Sequence, residues 1–415
     1  MSIALKTAAG TESARTTTSR TATQRIASID IFRGITMAVM IFVNALDGVR
    51  GLPWWTHHAR ASWDVMTYVD MVFPFFLFAV GLSLPIAIER RLKRNPSSAA
   101  LWIHILVRSA SLVVLGLILA NAEKADAARM GMRGSLWGLL GILCASLFLL
   151  DYSSLKLLQP YARILQGIGM LGVVILYAIF RRSSGGHSAW IDFSYPEILG
   201  LIGFTYFAVS ILYIPMRRWK WAPAAWFVLL VALCALSTDR MTLIHIGLPL
   251  YLWPFGNGAM CCIMMAGIVT TMFFRPSNGA APSPTAIVRS LAFGVIALGA
   301  GWALKPLGIS KIRATPTWSL WSIGASAILF ALLYWICDVK HWKSWAAPVH
   351  AAGANTLTTY LLPDLWDFAL GALGLFFYEK IFPYGWPGVA KTVVFTCLIL
   401  ALASLLTRAK VRLQL

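Results

Sequence analysis

The sequence predicts an all-α fold: a polytopic integral membrane helical bundle with about 10–12 transmembrane helices. Three observations carry this expectation. Of 415 residues, 59% are hydrophobic and only 12% charged, about half the roughly 25% charge of a soluble domain. Apolar runs of roughly 17–25 residues, each long enough to cross a bilayer as a helix, recur from Ile29 almost to the C-terminus. Lipid offers no partner for backbone N–H and C=O groups, so helices or closed barrels must carry the crossings, and the alternating strand pattern of a barrel is missing.

The runs fall at 29–48, 66–88, 101–121, 135–151, 161–180, 196–215, 222–237, 258–275, 286–304, 317–337, 346–372 and 388–407. The run at 222–237 is short and the one at 346–372 irregular, and either reads as a re-entrant or broken helix. The basic stretches Glu89–Arg94, Arg217–Lys220, Lys340–Lys343 and Arg408–Arg412 orient the chain with both termini cytoplasmic and an even number of spans. Arg181, Arg182, Lys305, Lys311 and Arg313 are exceptions on the outer side. His57 and His58 then fall in the first external loop. Residues 1–24, rich in Ser, Thr, Ala and Arg, read as a disordered basic cytoplasmic tail, with a transit peptide as the other reading of that composition. Residues 25–407 read as one transmembrane domain and 408–415 as a second basic cytoplasmic tail. The Pro/Gly/Ser-rich stretch 275–284 reads as a cytoplasmic linker between two halves.

The net charge of +19 is dispersed over short loops, where orientation requires it, so no nucleic-acid partner is expected. The lipid bilayer is the first partner, and a homodimer stays open. The six cysteines lie in apolar runs without CxxC spacing, and no HExxH pair occurs, so no metal is expected. A Walker loop is missing too, which speaks against direct ATP driving.

Ionisable groups at membrane depth are functional candidates by default. Asp30 and Arg33 lie three apart on one helix face at the start of the first run. They read either as an ion pair anchoring the helix end or as a polar cluster receiving an anionic ligand. Asn44, His57, His58, Asp64 and Asp70 form a second group. A neutral imidazole can take a proton near pH 7, a carboxylate can orient it, and an Asn can donate to a developing oxyanion. These are the parts that acyl transfer to an amine or hydroxyl needs. Arg108, Glu197, Lys311, Asn355, Asp364 and Asp367 are scattered through later runs. Glu197 reads as a helix N-terminal charge or a ligand group, and Asn355 as the cap of a broken helix or a ligand group. Trp55 and Trp63, beside the histidines, could stack on a sugar or sit in an interfacial belt.

Ser28-x-Asp30-x-Phe32-Arg33-Gly34, Phe42-Val43-Asn44, His58-Ala59, Trp63 and Thr67-x-x-Asp70-x-Val72-Phe73-Pro74-Phe75-Phe76-Leu77-Phe78-x-x-Gly81 resemble the transmembrane heparan-α-glucosaminide N-acetyltransferase family, and its bacterial relatives in particular. Shorter blocks at Glu197–Gly203, Ile309–Ile312 and Asn355–Leu357 are similar as well, so the resemblance spans roughly residues 25–405. It implies an acyltransferase of a bacterial inner membrane that carries an acetyl group from cytoplasmic acetyl-CoA to an amino sugar or other sugar acceptor on the periplasmic side. Under it His58 is the general base, Asp70 orients it and Asn44 stabilises the oxyanion. Arg60-Ala61 look inserted between the His-Ala pair and the Trp, which keeps His57 as a second candidate. Asp30, Arg33 and Arg108 are the residues expected to hold acetyl-CoA, and Trp55, Trp63, Glu197, Lys311 and Asn355 the acceptor. The alternative is an inner-membrane transporter of N-acetylglucosamine or a related amino sugar, with Asp70, Glu197 and Asp364 as coupling carboxylates.

Overall fold

The computed structural model describes residues 26–238, 256–274, 284–375 and 380–414. The tail at 1–24, most of the linker at 275–284 and His245 lie outside the described residues. Fourteen α-helices occur among the described residues: α1 Ala27–Leu46, α2 Val69–Arg94, α3 Ser98–Ala122, α4 Ala127–Met130, α5 Gly134–Leu149, α6 Ala162–Ile179, α7 Glu197–Met216, α8 Ala222–Leu236, α9 Ala259–Phe274, α10 Pro284–Ala303, α11 Pro316–Tyr334, α12 Ala347–Ala354, α13 Thr356–Leu373 and α14 Gly385–Arg408. Eight of them (α1, α2, α3, α6, α7, α10, α11 and α14), two with short flanking turns, are long and apolar enough to cross a membrane. α5, α8 and α9 are shorter apolar helices. The protein is an all-α, multi-pass membrane protein.

The irregular run at 346–372 is a broken helix, α12 and α13, interrupted at Asn355 with φ −126° and ψ 52°. α8 has 15 residues, so it rises only about 22 Å against a hydrocarbon core of about 30 Å. The basic stretch Glu89–Arg94, expected as a loop, continues α2 instead. Its residues are good helix formers, Lys93 pairs with Glu89 one turn back at 3.7 Å, and cations are favoured at a helix C-terminus. Between α6 and α7, Arg182–Ser184 pairs antiparallel with His187–Ala189 in a small hairpin, a second departure from the helix-only expectation.

Hydrogen bonds between distant segments sort the loops into two ends of the bundle. At one end the α1–α2 loop meets the α10–α11 loop, where Asp64 accepts from Ile309 N and Arg313. Arg50 exchanges backbone bonds with Pro383 and Gly385 at that same end. At the other end Asp338, in the π-helical turn that prolongs α11, accepts from the Ala27 and Ser28 N–H groups at 3.0 and 2.9 Å. It thereby satisfies two donors that the start of α1 leaves open. The C-terminal segment joins this end: Asp151 N donates to Arg412 O at 2.9 Å and Gln414 N to Leu149 O at 2.8 Å.

α1 and α12 touch backbone to backbone. A Cβ at Gly353 would run into the Asp30 carbonyl, and one at Gly34 into the Val349 carbonyl. Small residues at such crossings let helices approach where lipid supplies no hydrophobic drive for association. The fully buried Phe32, Leu77, Phe78, Trp318 and Phe330 fill the centre of the bundle between α1, α2 and α11. α6 lies on the outside and turns Ile164, Ile168, Leu171 and Val174 outward, 53–63% exposed, as a lipid-facing helix does.

Candidate active site

The site grows from the start of α2. Asp70 sits in the first helical turn, where a carboxylate is favoured by the open N–H groups and the helix dipole. Its Oδ2 accepts from Thr67 N at 3.0 Å and Ala59 N at 3.3 Å, and Thr67 Oγ1, 3.3 Å away, shares its single proton between this oxygen and the His57 carbonyl. The Thr-x-x-Asp pattern therefore works as a capping device that reaches back to its own threonine. Pro74, four residues on, has no N–H and leaves the Asp70 carbonyl without its helical donor. The Trp318 indole N–H at the start of α11 supplies that bond at 3.0 Å. Asp70 is 1% exposed and held on all sides, with one oxygen left to point outward.

That oxygen, Oδ1, lies 2.7 Å from His58 Nδ1. A carboxylate only accepts, so Nδ1 carries the proton and Nε2 holds the basic lone pair. The imidazole is 42% exposed, whereas the carboxylate that holds it is buried. His57 is directed elsewhere: its Nδ1 lies 3.7 Å from Asp47 Oδ1, and its carbonyl accepts from Thr67 Oγ1 at 2.9 Å. Of the two histidines, His58 holds the buried carboxylate.

Lys311 arrives from the α10–α11 loop. Its Nζ lies 3.5 Å from His58 Nδ1 and 3.4 Å from Nε2. Near-equal distances mean that the ammonium sits across the ring and not in line with one lone pair. Desolvation pushes the Lys311 ammonium below the usual lysine value, against the opposing pull of Asp70, Glu197 and Asp47. The loop is tied down on several sides. Arg313 Nη2 donates to Asp64 Oδ1 at 2.6 Å, and Ser310 N donates to Thr315 Oγ1 at 3.0 Å. Asn257 Nδ2 donates to the Ala314 carbonyl at 2.8 Å. Gly308, at φ 96°, makes the turn, and a Cβ there would press on both Asp64 and Arg313. Asp64 thus fastens two loops together.

The other expected residues are spread over the bundle. Asn44 lies in the last turn of α1, exposed, and its side chain has no hydrogen-bond partner among the described residues. Trp63 stacks edge-on with Trp54 at 5.9 Å and lies under the Arg60 guanidinium, and Trp55 stands 6.4 Å from Tyr68. Both tryptophans are exposed, at 39% and 51%. Glu197 starts α7 with φ 55° and folds its Oε2 back onto the Ile198 N–H at 2.7 Å. Asp30 and Arg33 pair with each other at the far end of α1, against α12. Arg108 stands about 15 Å along α3, its guanidinium 4.8 Å over the Tyr206 ring. Its Nε is buried without a partner among the described residues. Asn355, 3% exposed, donates to the Val411 carbonyl at 2.9 Å and accepts from Thr358 Oγ1 at 2.7 Å, so it braces the helix break and the C-terminal segment. Trp318 and Asp47 went unnoticed in the sequence. The missing N–H of Pro74 was the available signal for a donor to Asp70, but not for which residue supplies it.

Comparison with known proteins gives the chain's family. Residues 25–255 match the family described as Domain of unknown function (DUF5009). The chain belongs to that family. It is also 38% identical over 97 residues to the human heparan-alpha-glucosaminide N-acetyltransferase, covering 23% of this chain and 14% of that one. The mouse protein of the same name is 35% identical over 104 residues, 25% of this chain and 15% of that one. The resemblance expected from the motifs is therefore found in named acetyltransferases, and the matched stretch spans about a seventh of the length of those relatives.

Proposed function

We propose that this DUF5009 protein is a membrane-embedded acetyltransferase that moves an acetyl group from acetyl-CoA to an amino sugar or other sugar acceptor. The observation that carries the reading is the His58–Asp70 pair, a half-exposed imidazole whose Nδ1 is fixed by a buried carboxylate, which leaves Nε2 as the basic nitrogen. The similarity to named N-acetyltransferases supports the donor and the acceptor class. Acetyl-CoA enters at the Asp30/Arg33 end, which the Lys/Arg bias makes cytoplasmic, and the acceptor meets His58 on the periplasmic side of a bacterial inner membrane. Arg33 and Arg108 provide guanidinium groups for the anionic donor, and the unpartnered Arg108 Nε–H is a donor that a phosphate or carbonyl oxygen would complete. Trp55 and Trp63 offer exposed aromatic faces to a sugar ring beside the base. His58 takes a proton from the acceptor nitrogen or oxygen, and Asp70 stabilises the imidazolium that results.

The test begins with thermal stabilisation of the detergent-purified protein by acetyl-CoA, compared with glucosamine and N-acetylglucosamine. A ligand of the native state raises the midpoint by mass action. Acetyl-CoA is expected to raise it, and acetyl transfer to glucosamine or another amino sugar to follow. His58→Ala should abolish transfer and keep the acetyl-CoA shift, whereas His57→Ala should keep both. A shift with N-acetylglucosamine and none with acetyl-CoA would replace the enzyme by a sugar transporter.

A further inference from the structure

Lys311 is 253 positions from His58 in the chain, yet its Nζ is the cationic group within 3.5 Å of both ring nitrogens. Its own loop, residues 304–315, carries no acidic side chain, and Asp64 of the facing loop pairs with Arg313. We propose that Lys311 is the electrophilic group of the transfer, its ammonium receiving the acetyl carbonyl oxygen as negative charge develops there beside His58. This rests on the acetyltransferase reading above and adds to it the group that stabilises the transition state.

The geometry supports the role in three ways. A carbonyl attacked beside Nε2 can turn its oxygen toward this ammonium, which lies 3.4 Å from the same nitrogen. The loop is held by Asp64, Thr315 and Asn257, so the charge is set in place before the substrate arrives, which is what makes such stabilisation effective. Asn44, the other candidate donor, stands exposed in the last turn of α1 without a bond to His58 among the described residues. At rest Lys311 rests on the imidazole at a long 3.4 Å from Nε2, a contact weak enough to exchange for a substrate oxygen.

The reaction balances without any change in Lys311. The acceptor nitrogen attacks the thioester carbonyl carbon, and a C–N bond forms. The C–S bond breaks, and its electron pair leaves on sulfur. The proton of the attacking nitrogen passes to His58 Nε2 and then to the CoA thiolate. Lys311 donates a hydrogen bond throughout and keeps its protons. The rate therefore requires the charged lysine and falls as pH rises through its titration, which desolvation holds below the ordinary lysine range. The charges facing it are Asp47 after α1, His58, Asp70 on α2 and Glu197 on α7.

The experiment compares full-length wild-type protein with Lys311→Met and Lys311→Arg in detergent, reading kcat, KM for acetyl-CoA, the pH–rate profile and the acetyl-CoA thermal shift. Lys311→Met is expected to lose about 10²–10³-fold in kcat, with KM and the thermal shift close to wild type. Lys311→Arg is expected to regain much of that rate and to carry the alkaline limb to higher pH. A kcat within about threefold of wild type in Lys311→Met, or a loss confined to KM, overturns the proposal. So does a Lys311→Arg variant as slow as Lys311→Met or with an unmoved alkaline limb. A vanished thermal shift in both variants marks a role in donor binding, a lowered midpoint without ligand marks a folding role, and either overturns it as well. Wild-type protein that neither binds acetyl-CoA nor transfers acetyl overturns the acetyltransferase reading itself.

Discussion

Replacing Asp70 by Asn tests the core of the site with almost no change of shape. Asp70 Oδ2 accepts three hydrogen bonds, two of them from backbone N–H groups at 3.0 and 3.3 Å. The side-chain oxygen of an Asn must take that side, because turning its NH₂ toward three donors would leave them unsatisfied. The NH₂ then faces His58 Nδ1, 2.7 Å away, and donates to it. This forces the other tautomer: Nδ1 becomes the acceptor, Nε2 carries the proton, and the base is lost. In a Ser-His-Asp site the same exchange costs about 10⁴ in kcat, so a fall of roughly 10³–10⁴ is expected here, about 4–5.5 kcal/mol in barrier height. The assay is single-turnover release of CoA thiol from acetyl-CoA with saturating acceptor, with thermal stabilisation by acetyl-CoA read in parallel. The midpoint should stay near wild type, because the three bonds to Oδ2 survive. Asp70→Asn activity within about tenfold of wild type, with the thermal shift intact, would refute the tautomer argument.

Two further substitutions test the supports of the site. Trp318→Phe removes the donor to the Asp70 carbonyl, which Pro74 has already deprived of its helical partner. An unsatisfied buried carbonyl costs about 1–3 kcal/mol, so a lowered thermal midpoint and a modest loss of kcat are expected, and an unchanged midpoint would show that the bond is dispensable. Gly353→Ala drives a Cβ into the Asp30 carbonyl and forces α12 off α1. Overpacking against backbone costs about 1–3 kcal/mol or more, so this variant should lose thermal stability far beyond an Ala at the open Gly167.

The helix boundaries were legible because apolar run length decides which segments can cross a bilayer, and the broken helix at Asn355 showed as an irregular run. What went unseen depended on local pairing. The basic stretch after α2 read as a loop by composition, yet its charges suit a helix C-terminus. The Arg182–Ala189 hairpin was too short for a period-two pattern to register. In the candidate site, Asp70 and the histidines stood out because polar groups at membrane depth are costly. The division of labour among them came only from the family resemblance, with His57 kept as a second candidate, since it depends on which carboxylate each imidazole meets after folding. His57 met Asp47, Asp64 met Arg313, and His58 met Asp70. Lys311 and Trp318 come from the second half of the chain, and no spacing rule in a single sequence joins them to a histidine more than two hundred residues away.

Two helices tie the ends of the bundle together. α11 begins by donating Trp318 to the Asp70 carbonyl and leads, through its π-helical turn, to Asp338, which caps α1. α1 carries Asp30 and Arg33 near its start and leads to Asn44 and Asp47, with Asp30 and Asn44 about 20 Å apart along the helix axis. A rocking transporter must let one bundle move against the other around a central site. Here a tilt between α1–α2 and α11 would break the bond that satisfies the Asp70 carbonyl at one end and the two that cap α1 at the other. The distance between the cationic end and the imidazole is therefore set by helix length. A substrate with a long flexible arm can bridge such a gap with the protein at rest, and acetyl-CoA is a substrate of that shape. The bonds at both ends hold α1, α2 and α11 as one frame, and transfer along it requires no motion within that frame.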